Sequence, residues 1–461
     1  MSVGLSQPGP GRYSTSRGEQ GLLKVSDQSN EAGRRPRTVL VTFGTRGDVM
    51  PFCVLGRALT ERGHAVRLVT TSDYHKSVRG FGLEPVETGE GFEAILKDPR
   101  FEPLFRNYFS AGLSSLPLIG HLRRAVQDRL TTLIETSLTE MRDADIVVFN
   151  PFAFFAGPLA RELGIPAVRV MAQPLLPTRT MSASLFGGVD RGRIENRLSY
   201  ESFRLLSLFG RRSFAEIRRR HGLGRGLRAL SNPLTKDLAG LHHIAAWSPA
   251  LSPDPGDWPV PALVTGAWQT RPDPQARLGE HIEVFLGAGP PPVYVGFGSM
   301  FWGAKRNTEV VLRALELWGG RAILQTGPGG LQPPADLPPN LTHTRHADHG
   351  LLFPRVAAVV HHGGAGTTAA ALRAGRPSVI LPLLGDQLFW GRRVAALGAA
   401  EEPVPLRQVG PEELAARIAR AVSDAGMAQA AAEVGRRLSE EPGVTIAADR
   451  IDGLARERMR R

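Results

Sequence analysis

The glycine-rich segment HHGGAGTT at 361–368 holds the residues whose types and spacing best suit ligand chemistry. A β-branched run precedes it and a helical pattern follows it, so we expect a turn from a strand into a helix. Gly363, Gly364 and Gly366 would let the backbone adopt positive φ and approach a ligand closely. The unpaired N–H groups and the dipole of a helix N-terminus suit a diphosphate, to which the imidazole of His362 could donate a hydrogen bond.

Several other kinds of site are disfavoured at this turn. It has no GK[ST] sequence and no GxGxxG spacing, so it predicts neither a Walker A loop nor a nicotinamide dinucleotide site. His361 and His362 are neighbours on a predicted strand and point to opposite faces, so they rarely share one metal ion. Thr367 and Thr368 are expected to cap the helix. The sequence therefore favours a phosphate site without a metal.

Two series of alternating strand and helix patterns position the loops of the chain. The first has strand patterns at 37–43, 64–71, 144–150, 165–172, 246–251 and 261–268, and helical patterns at 51–63 and 158–164. The second has strand patterns at 291–299, 321–327, 357–362 and 377–383, and helical patterns at 307–319, 367–375 and 411–461. Such alternation predicts an α/β fold of two doubly wound, Rossmann-like domains, with ligands beyond the carboxyl ends of the strands in the cleft between them.

The domain boundaries follow from shifts in composition. The first residues are rich in Gly, Ser, Arg and Gln and carry little apolar surface, which predicts disorder. Prolines and glycines later in the chain indicate a linker before the second series begins. The expected segments are a disordered leader (1–36), an N-terminal domain (37–268), a linker (269–290), a C-terminal domain (291–425) and C-terminal helices (426–461).

Composition restricts the compartment and the partners. Cys53 is the single cysteine, so an intramolecular disulfide is impossible and a reducing, cytoplasmic compartment is expected. No run approaches 18 consecutive apolar residues, so no membrane-spanning helix is expected. The net charge of +12 is concentrated at 191–230, where eleven arginines accompany three glutamates. We interpret this segment as a solvated helical face, with peripheral contact at the inner membrane surface as the alternative; nucleic acid binding is disfavoured because no matching motif is present.

Four motifs together resemble one family. The segment HHGGAGTTAAALRAGRPSVILPLLGDQLFWGRRVAALGAA (361–400) resembles the donor-binding signature of glycosyltransferase family 1. The segment GTRGDVMPFCVLGRAL (44–59) is similar to the opening of its branch of sterol glucosyltransferases and antibiotic (glycopeptide and macrolide) glycosyltransferases. GFGSM (296–300) and LLFPRVAAVVHH (351–362) fit the same branch. The similarity extends in the right order over 37–425.

The resemblance implies the GT-B fold, in which the N-terminal domain takes the acceptor, the C-terminal domain takes a nucleotide sugar, and the last helix returns to the first domain. In the family, the histidine before the Gly-Gly pair contacts the diphosphate, a hydroxyl residue after the pair assists, an Asp-Gln pair holds sugar hydroxyls, and other positions lie near the phosphates or the nucleobase. The matching residues here are His362, Thr367, Asp386, Gln387, Ser299 and His349. The Val-Pro that usually precedes the base-pocket residue is Ala347-Asp348 in this chain.

The resemblance also implies a general base. Asp48 stands just after the first strand, where the plant branch has a histidine and the sterol and antibiotic branch an aspartate. Relatives with the histidine orient it with an aspartate, whose position is Asn150 here; an aspartate base needs no anionic partner. The alternative for Asp48 is capping of the helix that follows, and Asp73 is a second candidate base.

Other residues of the same loops complete the predicted site. Arg46 and Gly47 are assigned to donor binding, although Arg46 could instead pair with the carboxylate beside it. Weaker assignments to the acceptor are Asn150, Phe152 and Gln173, which follow strands. Further apolar surface for an acceptor, or simply for a helical core, is offered by Phe101, Phe105, Tyr108, Phe109, Leu113, Leu116, Leu118 and the segment 203–214.

These expectations define an inverting hexosyltransferase that uses a UDP- or dTDP-sugar as co-substrate, requires no cofactor or metal, and glycosylates a hydrophobic acceptor such as a sterol or polyketide. The protein is expected to be a monomer or homodimer. One alternative is a nucleotide-sugar epimerase or hydrolase on the same fold. Another is a non-catalytic helper protein, which is disfavoured because Asp48, His362 and Asp386–Gln387 are all present.

Overall fold

The computed structural model describes residues 34–89, 91, 98, 116–223, 234, 240–269, 275–298, 303–327 and 330–461. Most of the predicted leader, the candidate Ser299 and the apolar residues at 101–113 lie outside this part of the chain. Among the residues that are described, no helix is both long and apolar enough to cross a bilayer.

The strands form two parallel sheets. They are β1 (Arg37–Val41), β2 (Ala65–Val69), β3 (Glu84–Val86), β4 (Ile146–Phe149), β5 (Ala167–Met171), β6 (His242–Ala245), β7 (Leu263–Val264), β8 (Val293–Gly296), β9 (Ala322–Gln325), β10 (Leu341–Thr344), β11 (Ala358–His361) and β12 (Ser378–Ile380). The first sheet has the order β3-β2-β1-β4-β5-β6-β7, and the second has the order β10-β9-β8-β11-β12.

Helices cover the faces of both sheets. They are α1 (Arg46–Thr60), α2 (His75–Gly80), α3 (Leu116–Met141), α4 (Ala156–Glu162), α5 (Arg193–Glu201), α6 (Arg204–Arg220), α7 (Glu280–Gly287), α8 (Ala304–Trp318), α9 (His349–Leu352), α10 (Ala365–Arg373), α11 (Gln387–Ala396), α12 (Pro411–Ser423), α13 (Ala425–Ser439) and α14 (Val444–Met459). Short 3₁₀ turns lie at Ser72–Tyr74, Ser184–Phe186 and Phe353–Arg355.

Alternation of side chains along β1 shows why each sheet is covered on both faces. Val39 and Val41 pack with α3 and α4, whereas Leu40 packs on the opposite face with α1 and α14. Every residue of β4, β8 and β11 is buried, which is typical of central strands in a parallel sheet. The core therefore fixes the central strands from which the functional loops emerge.

The strand order reverses once in each sheet, and these switch points are where ligands bind in open α/β sheets. In the first sheet the reversal lies between β1 and β4, which pair in parallel. In the second it lies between β8 and β11. Asp48 follows β1 and His362 follows β11, so both arise at the switch points.

The C-terminal helices divide between the two sheets. Helix α13 packs on α10 in the second half of the molecule, where Ala431 and Val434 are buried. Helix α14 instead packs on α1, and Ala447 and Ile451 are buried in the core of the first sheet. An ion pair between Arg62 and Asp449 (2.8 Å) lies at the same contact. The final helix thus returns to the domain in which the chain begins.

Several local predictions differ from the structure. Helix α1 begins at Arg46 rather than at 51, so Pro51 lies inside the helix. The apolar run 246–251 is a turn after β6, and it is apolar because Trp247 and Leu251 are buried by tertiary packing. The segment 269–290, interpreted as a linker from its prolines, contains α7, whose Ile282 is buried against the second sheet. The short strands β3 and β10 were not predicted.

Candidate active site

Asp48 lies in the first turn of α1 with its carboxylate folded back over the helix N-terminus. Its Oδ2 accepts hydrogen bonds from the backbone N (2.7 Å) and the Oγ1 (3.0 Å) of Thr45. Gly44 has φ +138°, and a Cβ there would lie 2.3 Å from Asp48 Oδ2, so glycine is required for this arrangement. The carboxylate therefore caps the helix, the alternative role considered above, and it does so while facing the cleft.

Burial raises the pKa of Asp48 from 3.8 to about 7, although the hydrogen bonds from Thr45 act in the opposite direction. Repulsion from the carboxylate of Asp386 raises this pKa further. A carboxylate with a pKa near neutrality can accept a proton efficiently at physiological pH. Asp73, the second candidate, is exposed on the turn after β2 and has its carboxylate against Gly91. The environment therefore favours Asp48 as a base.

Asp386 stands at the N-cap of α11 and is held from both sides of the cleft. Its Oδ2 accepts a hydrogen bond from Trp390 Nε1 (2.6 Å) on the next turn of the helix. The amide nitrogen of Gln173, in the orientation that the hydrogen-bond network requires, lies 2.8 and 3.3 Å from the two carboxylate oxygens. Gln173 follows β5 of the first sheet, so this contact joins the two halves of the molecule.

Charges on opposite sides of the cleft influence each other. Burial raises the pKa of Asp386 to about 6, opposed by the hydrogen bond from Trp390. Burial lowers the pKa of His349 to about 4, and the charge of Arg46, which lies on α1, lowers it further. Arg46 and its neighbour Gly47 are exposed at the start of α1. The carboxyl ends of the two sheets thus face one another closely enough for their side chains to interact.

The turn 361–368 joins β11 to α10, and its glycines have distinct roles. Gly363 has φ +85°, and a Cβ there would lie 2.8 Å from the carbonyl oxygen of Gln387. A Cβ on Gly364 would lie 2.5 Å from His362 Nε2, whereas a Cβ on Gly366 would meet nothing within 4 Å. The expectation of positive φ is wrong for Gly364 and Gly366, since only Gly363 of the three adopts it. Gly364 instead leaves space for the imidazole of His362, and the turn is open at Gly366.

The N-terminus of α10 has no side-chain cap. Gly364 is the N-cap residue, and Thr367 and Thr368 lie within the helix, so the prediction that they cap it is wrong. The helix begins at Ala365, two residues before the predicted start at 367, and the glycine at its N-cap leaves room for His362. The N–H groups of the first turn consequently have no side-chain acceptor within the described chain and are available to a ligand.

The two histidines of this turn are used differently. His361 is fully buried, and its Nδ1 accepts a hydrogen bond from the backbone N of Gly363 (3.1 Å). His362 is half-buried, and its buried Nδ1 has no hydrogen-bond partner among the described residues. Burial lowers the pKa of His362 to about 4, and His349 lowers it further, so the imidazole is neutral at pH 7.

In the described part of the chain, no cluster of three His, Cys, Asp or Glu side chains could hold a metal ion.

Gln387 shapes the loop on which Asp386 stands. Its Oε1 accepts hydrogen bonds from the backbone N of Leu383 (2.7 Å) and of Leu384 (3.0 Å). Because the side-chain carbonyl oxygen of Gln387 already accepts two backbone hydrogen bonds, the predicted contact with a sugar hydroxyl would be made by its amide nitrogen.

His349 begins α9 beside two aromatic residues. Its ring stacks on Phe353, with centroids 4.3 Å apart and planes at 14°. Tyr294 Oη lies 3.4 Å from His349 Nε2 and donates to Gln325 Oε1. The packing fixes the imidazole plane at the carboxyl end of the second sheet, where the resemblance assigns the nucleobase.

Asn150 and Phe152 lie on the loop after β4. Asn150 is buried; its Nδ2 donates to Phe43 O (2.8 Å), and its Oδ1 accepts from the backbone N of Ala153 (3.0 Å). The side chain thus ties the loop after β4 to the loop after β1, and its polar atoms are engaged by the backbone. Phe152 is half-buried and packs against the core of the first sheet.

Three residues that position the site, Thr45, Trp390 and Tyr294, were not predicted from the sequence. Thr45 and Asp48 match the S/T-x-x-E/Q capping pattern with aspartate in the acidic place, which could have indicated their contact. Trp390 stands four residues after Asp386, a helical spacing that places both on one face. The contact of Tyr294 with His349 joins elements far apart in the chain and has no sequence signal.

Two family models match the chain. The glycosyltransferase family 28 N-terminal domain matches residues 38–127. The erythromycin biosynthesis protein CIII-like C-terminal domain matches residues 322–453. The two matches fall on the two sheets, one in each half of the chain.

Relatives and solved structures extend these matches over 90–92% of the chain. The O-mycaminosyltylonolide 6-deoxyallosyltransferase of Streptomyces fradiae is 33% identical over 92% of this chain and 98% of its own. A sterol 3-beta-glucosyltransferase of Arabidopsis thaliana is 31% identical over 90% of this chain and 67% of its own. The chain spans about a quarter (27%) of the length of the sterol 3-beta-glucosyltransferase of Debaryomyces hansenii. The structure of the glycosyltransferase VinC in complex with dTDP has the same fold, with a TM-score of 0.62, 21% identity and coverage of 91% and 100% of the two chains.

Fold and site together define a glycosyltransferase of the GT-B class, as the resemblance implied. Within that class, the chain belongs to the family that contains the sterol 3-beta-glucosyltransferases and the macrolide glycosyltransferases.

Proposed function

We propose that this enzyme transfers a hexose from a UDP- or dTDP-sugar to a hydroxyl group of a hydrophobic acceptor, a sterol or a polyketide, with inversion at the anomeric carbon. The observation that carries the proposal is the opposition of Asp48 and Asp386 across the cleft, where one carboxylate raises the pKa of the other. The relatives named above act on a sterol and on a macrolide glycoside by their names, and VinC binds dTDP.

In the proposed mechanism the diphosphate lies on the turn 361–368. The free N–H groups at the start of α10 and the helix dipole attract the phosphate charge. The neutral imidazole of His362 donates a further hydrogen bond from a ring N–H. These donors stabilise the charge that develops on the leaving diphosphate, so the protein itself supplies this stabilisation.

The sugar extends from the diphosphate toward Asp386. Its carboxylate, fixed by Trp390 Nε1 (2.6 Å), accepts hydrogen bonds from sugar hydroxyls. When the sugar binds, the amide of Gln173 in the first domain either releases Asp386 or hydrogen-bonds to the sugar as well. The acceptor hydroxyl reaches the anomeric carbon from the side of Asp48, which removes the hydroxyl proton as the new glycosidic bond forms and the bond to the diphosphate breaks.

A panel of donors and acceptors tests the proposed function. Purified enzyme is incubated with UDP-glucose, dTDP-glucose and a dTDP-deoxysugar, each with a sterol, a macrolide alcohol and a peptide, and products are identified by mass spectrometry. A hexose added to the sterol or macrolide, with a β-anomer from an α-donor by NMR, supports the proposal. Consumption of the donor without an acceptor would instead indicate an epimerase or hydrolase, and full activity after exhaustive chelation would support metal independence.

The pH dependence of kcat/KM is expected to follow the raised pKa of Asp48. The base acts only when deprotonated, so activity should fall about tenfold per pH unit below pH 7 and level off above it. An unperturbed aspartate, with a pKa of 3.8, would retain activity down to about pH 4. Initial rates between pH 5 and 9 measure the acidic limb.

The variant Asp386→Asn provides an internal check on this profile. It removes the charge that raises the pKa of Asp48, so the acidic limb of its residual activity should move to lower pH. If kcat/KM of the wild-type enzyme falls only near pH 4, Asp48 is not the titrating base.

A further inference from the structure

Helix α5 carries two large apolar side chains on its solvent face. Ile194 is 76% exposed and Leu198 is 59% exposed, and the two lie one helical turn apart. The opposite face of the helix buries the polar side chain of Asn196 and, within a small apolar cluster, the ring of Tyr200. The aliphatic side chains of the helix thus face solvent, whereas the aliphatic residues of a surface helix usually pack inward.

Hydrogen bonds fix α5 in this orientation. Asn196 Nδ2 donates to Arg179 O (2.9 Å) and to Asp190 Oδ1 (2.8 Å). Tyr200 Oη donates to Met181 O (3.3 Å). Because these buried polar groups are satisfied where they lie, rotation of the helix to bury Ile194 would cost their hydrogen bonds. The outward position of the apolar pair is therefore built into the fold.

A third exposed apolar residue lies on the adjoining 3₁₀ turn. Phe186 is 43% exposed and contacts the ring of Phe203, which follows α5, at 6.3 Å between centroids. The turn is joined to α5 by a hydrogen bond from Ala183 N to Ser199 Oγ (2.8 Å). Apolar surface therefore continues beyond the helix.

Arginines surround these apolar side chains. Arg191 and Arg193 are exposed and Arg197 is half-buried, and within the described residues none of the three lies within ion-pair distance of a carboxylate. Glu195 and Glu201 are on the same helix, so residues 191–204, with four arginines and two glutamates, have a net charge of +2. Cationic side chains next to exposed apolar side chains are typical of protein surfaces that bind membranes with anionic headgroups.

We propose that this part of the protein docks on an anionic lipid bilayer. The docking surface consists of Phe186, Arg191, Arg193, Ile194, Arg197 and Leu198. The apolar side chains enter the boundary between headgroups and acyl chains, and the arginines bind lipid phosphates. A second copy of the chain is a poorer occupant, because it would bring the same arginines face to face.

The docking surface adjoins the donor loop. Gly187 O accepts a hydrogen bond from Arg392 Nη1 (3.2 Å) of α11, the helix that begins after Asp386. Gly188 lies so close to the ring of Phe389 that a Cβ would be 2.1 Å from it. Docking thus holds the mouth of the cleft near the lipid, from which a hydrophobic acceptor can enter; this consequence rests on the proposed function.

Vesicle partitioning of the full-length protein tests the apolar part of the surface. Wild-type protein should bind vesicles of phosphatidylcholine with phosphatidylglycerol at least about tenfold more strongly than phosphatidylcholine alone, and salt should weaken the binding. The double variant Ile194→Ser/Leu198→Ser should lose about tenfold in partitioning. The matched control Val284→Ser/Val422→Ser, which removes two apolar side chains that are 66% and 42% exposed elsewhere, should bind as wild type.

A second pair of variants tests the charged part. Arg193→Gln/Arg197→Gln should lose about tenfold or more on anionic vesicles and little on neutral ones. The control Arg436→Gln/Arg437→Gln removes two exposed arginines from α13 and should change binding less than twofold by the same reasoning.

Enzyme assays separate this proposal from the proposed function. All surface variants should keep wild-type transfer to a water-dispersed acceptor and wild-type affinity for a nucleoside diphosphate. Equal binding of wild type to neutral and anionic vesicles overturns the docking surface even if sugar transfer stands. So does sedimentation that shows self-association abolished by Ile194→Ser/Leu198→Ser without vesicle binding. Selective vesicle binding in a protein that transfers no sugar would leave the docking surface intact and refute the proposed function.

Discussion

Replacement of Asp48 by asparagine is expected to lower kcat by about 10²–10⁴-fold, equivalent to about 3–5 kcal/mol of barrier height. The amide cannot take the proton of the acceptor hydroxyl, so only positioning and charge stabilisation remain. The side-chain oxygen of asparagine can still accept the hydrogen bond that Thr45 N now donates at 2.7 Å. Folding and donor affinity should therefore change little, because the cap at the start of α1 is kept.

Steady-state rates with a saturating acceptor measure this effect, and calorimetric titration with UDP or dTDP measures donor-site integrity. The matched control is Thr45→Ala, which removes the hydroxyl donor at 3.0 Å but keeps the carboxylate. That hydrogen bond lowers the pKa of Asp48, so the control should shift the acidic limb of kcat/KM to higher pH while preserving the plateau rate. If Asp48→Asn retains wild-type turnover with an intact donor site, another group is the base.

Replacement of His362 by alanine is expected to lower kcat by about 10²–10³-fold, the range observed when one donor to a developing anion is removed. His362 is neutral at pH 7, because burial lowers its pKa to about 4, and its Nδ1 is buried without a partner in the described chain. A ring N–H of this neutral imidazole, donated to the bound diphosphate, stabilises the negative charge that accumulates on the leaving group.

For His362→Ala, the fold loss in kcat should exceed the fold loss in donor affinity, because the charge on the leaving diphosphate increases in the transition state. The variant His362→Gln retains an N–H donor and should recover part of kcat. His281→Ala, which removes a histidine from α7 outside the cleft, should leave kcat unchanged. Equal rates for His362→Ala and wild type would show that the diphosphate leaves without help from this imidazole.

The sequence by itself determined the two-sheet architecture and the positions of the reactive loops. Val39, Leu40 and Val41 form a short β-branched and apolar run that is typical of a central parallel strand, which is buried on both faces. The same is true of 358–361 before the glycine turn. A strand that ends at glycine and enters a helix places the next polar residue at the carboxyl edge of the sheet, which is why the loops that carry Asp48 and His362 could be located from the sequence; the role of Asp48 as a base was implied by the family resemblance.

Local detail was less accessible from sequence where tertiary packing overrides local pattern. The run 246–251 is apolar because Trp247 and Leu251 are buried against the second half of the molecule, and not because it forms a strand. The helix at Glu280–Gly287 was obscured by neighbouring prolines, yet burial of Ile282 stabilises it. Hydrophobic burial depends on what packs against a segment, and that partner can be hundreds of residues away.

Only the tertiary structure decided the electrostatics of the cleft and the orientation of α5. Asp48 has a pKa near 7 because the fold buries it and brings Asp386 opposite, from a segment more than three hundred residues along the chain. Ile194 faces solvent because hydrogen bonds of Asn196 fix the opposite face inward. Sequence specifies which groups are present, whereas burial and distance, which set the energy of a charge or an apolar surface, exist only once the chain has folded.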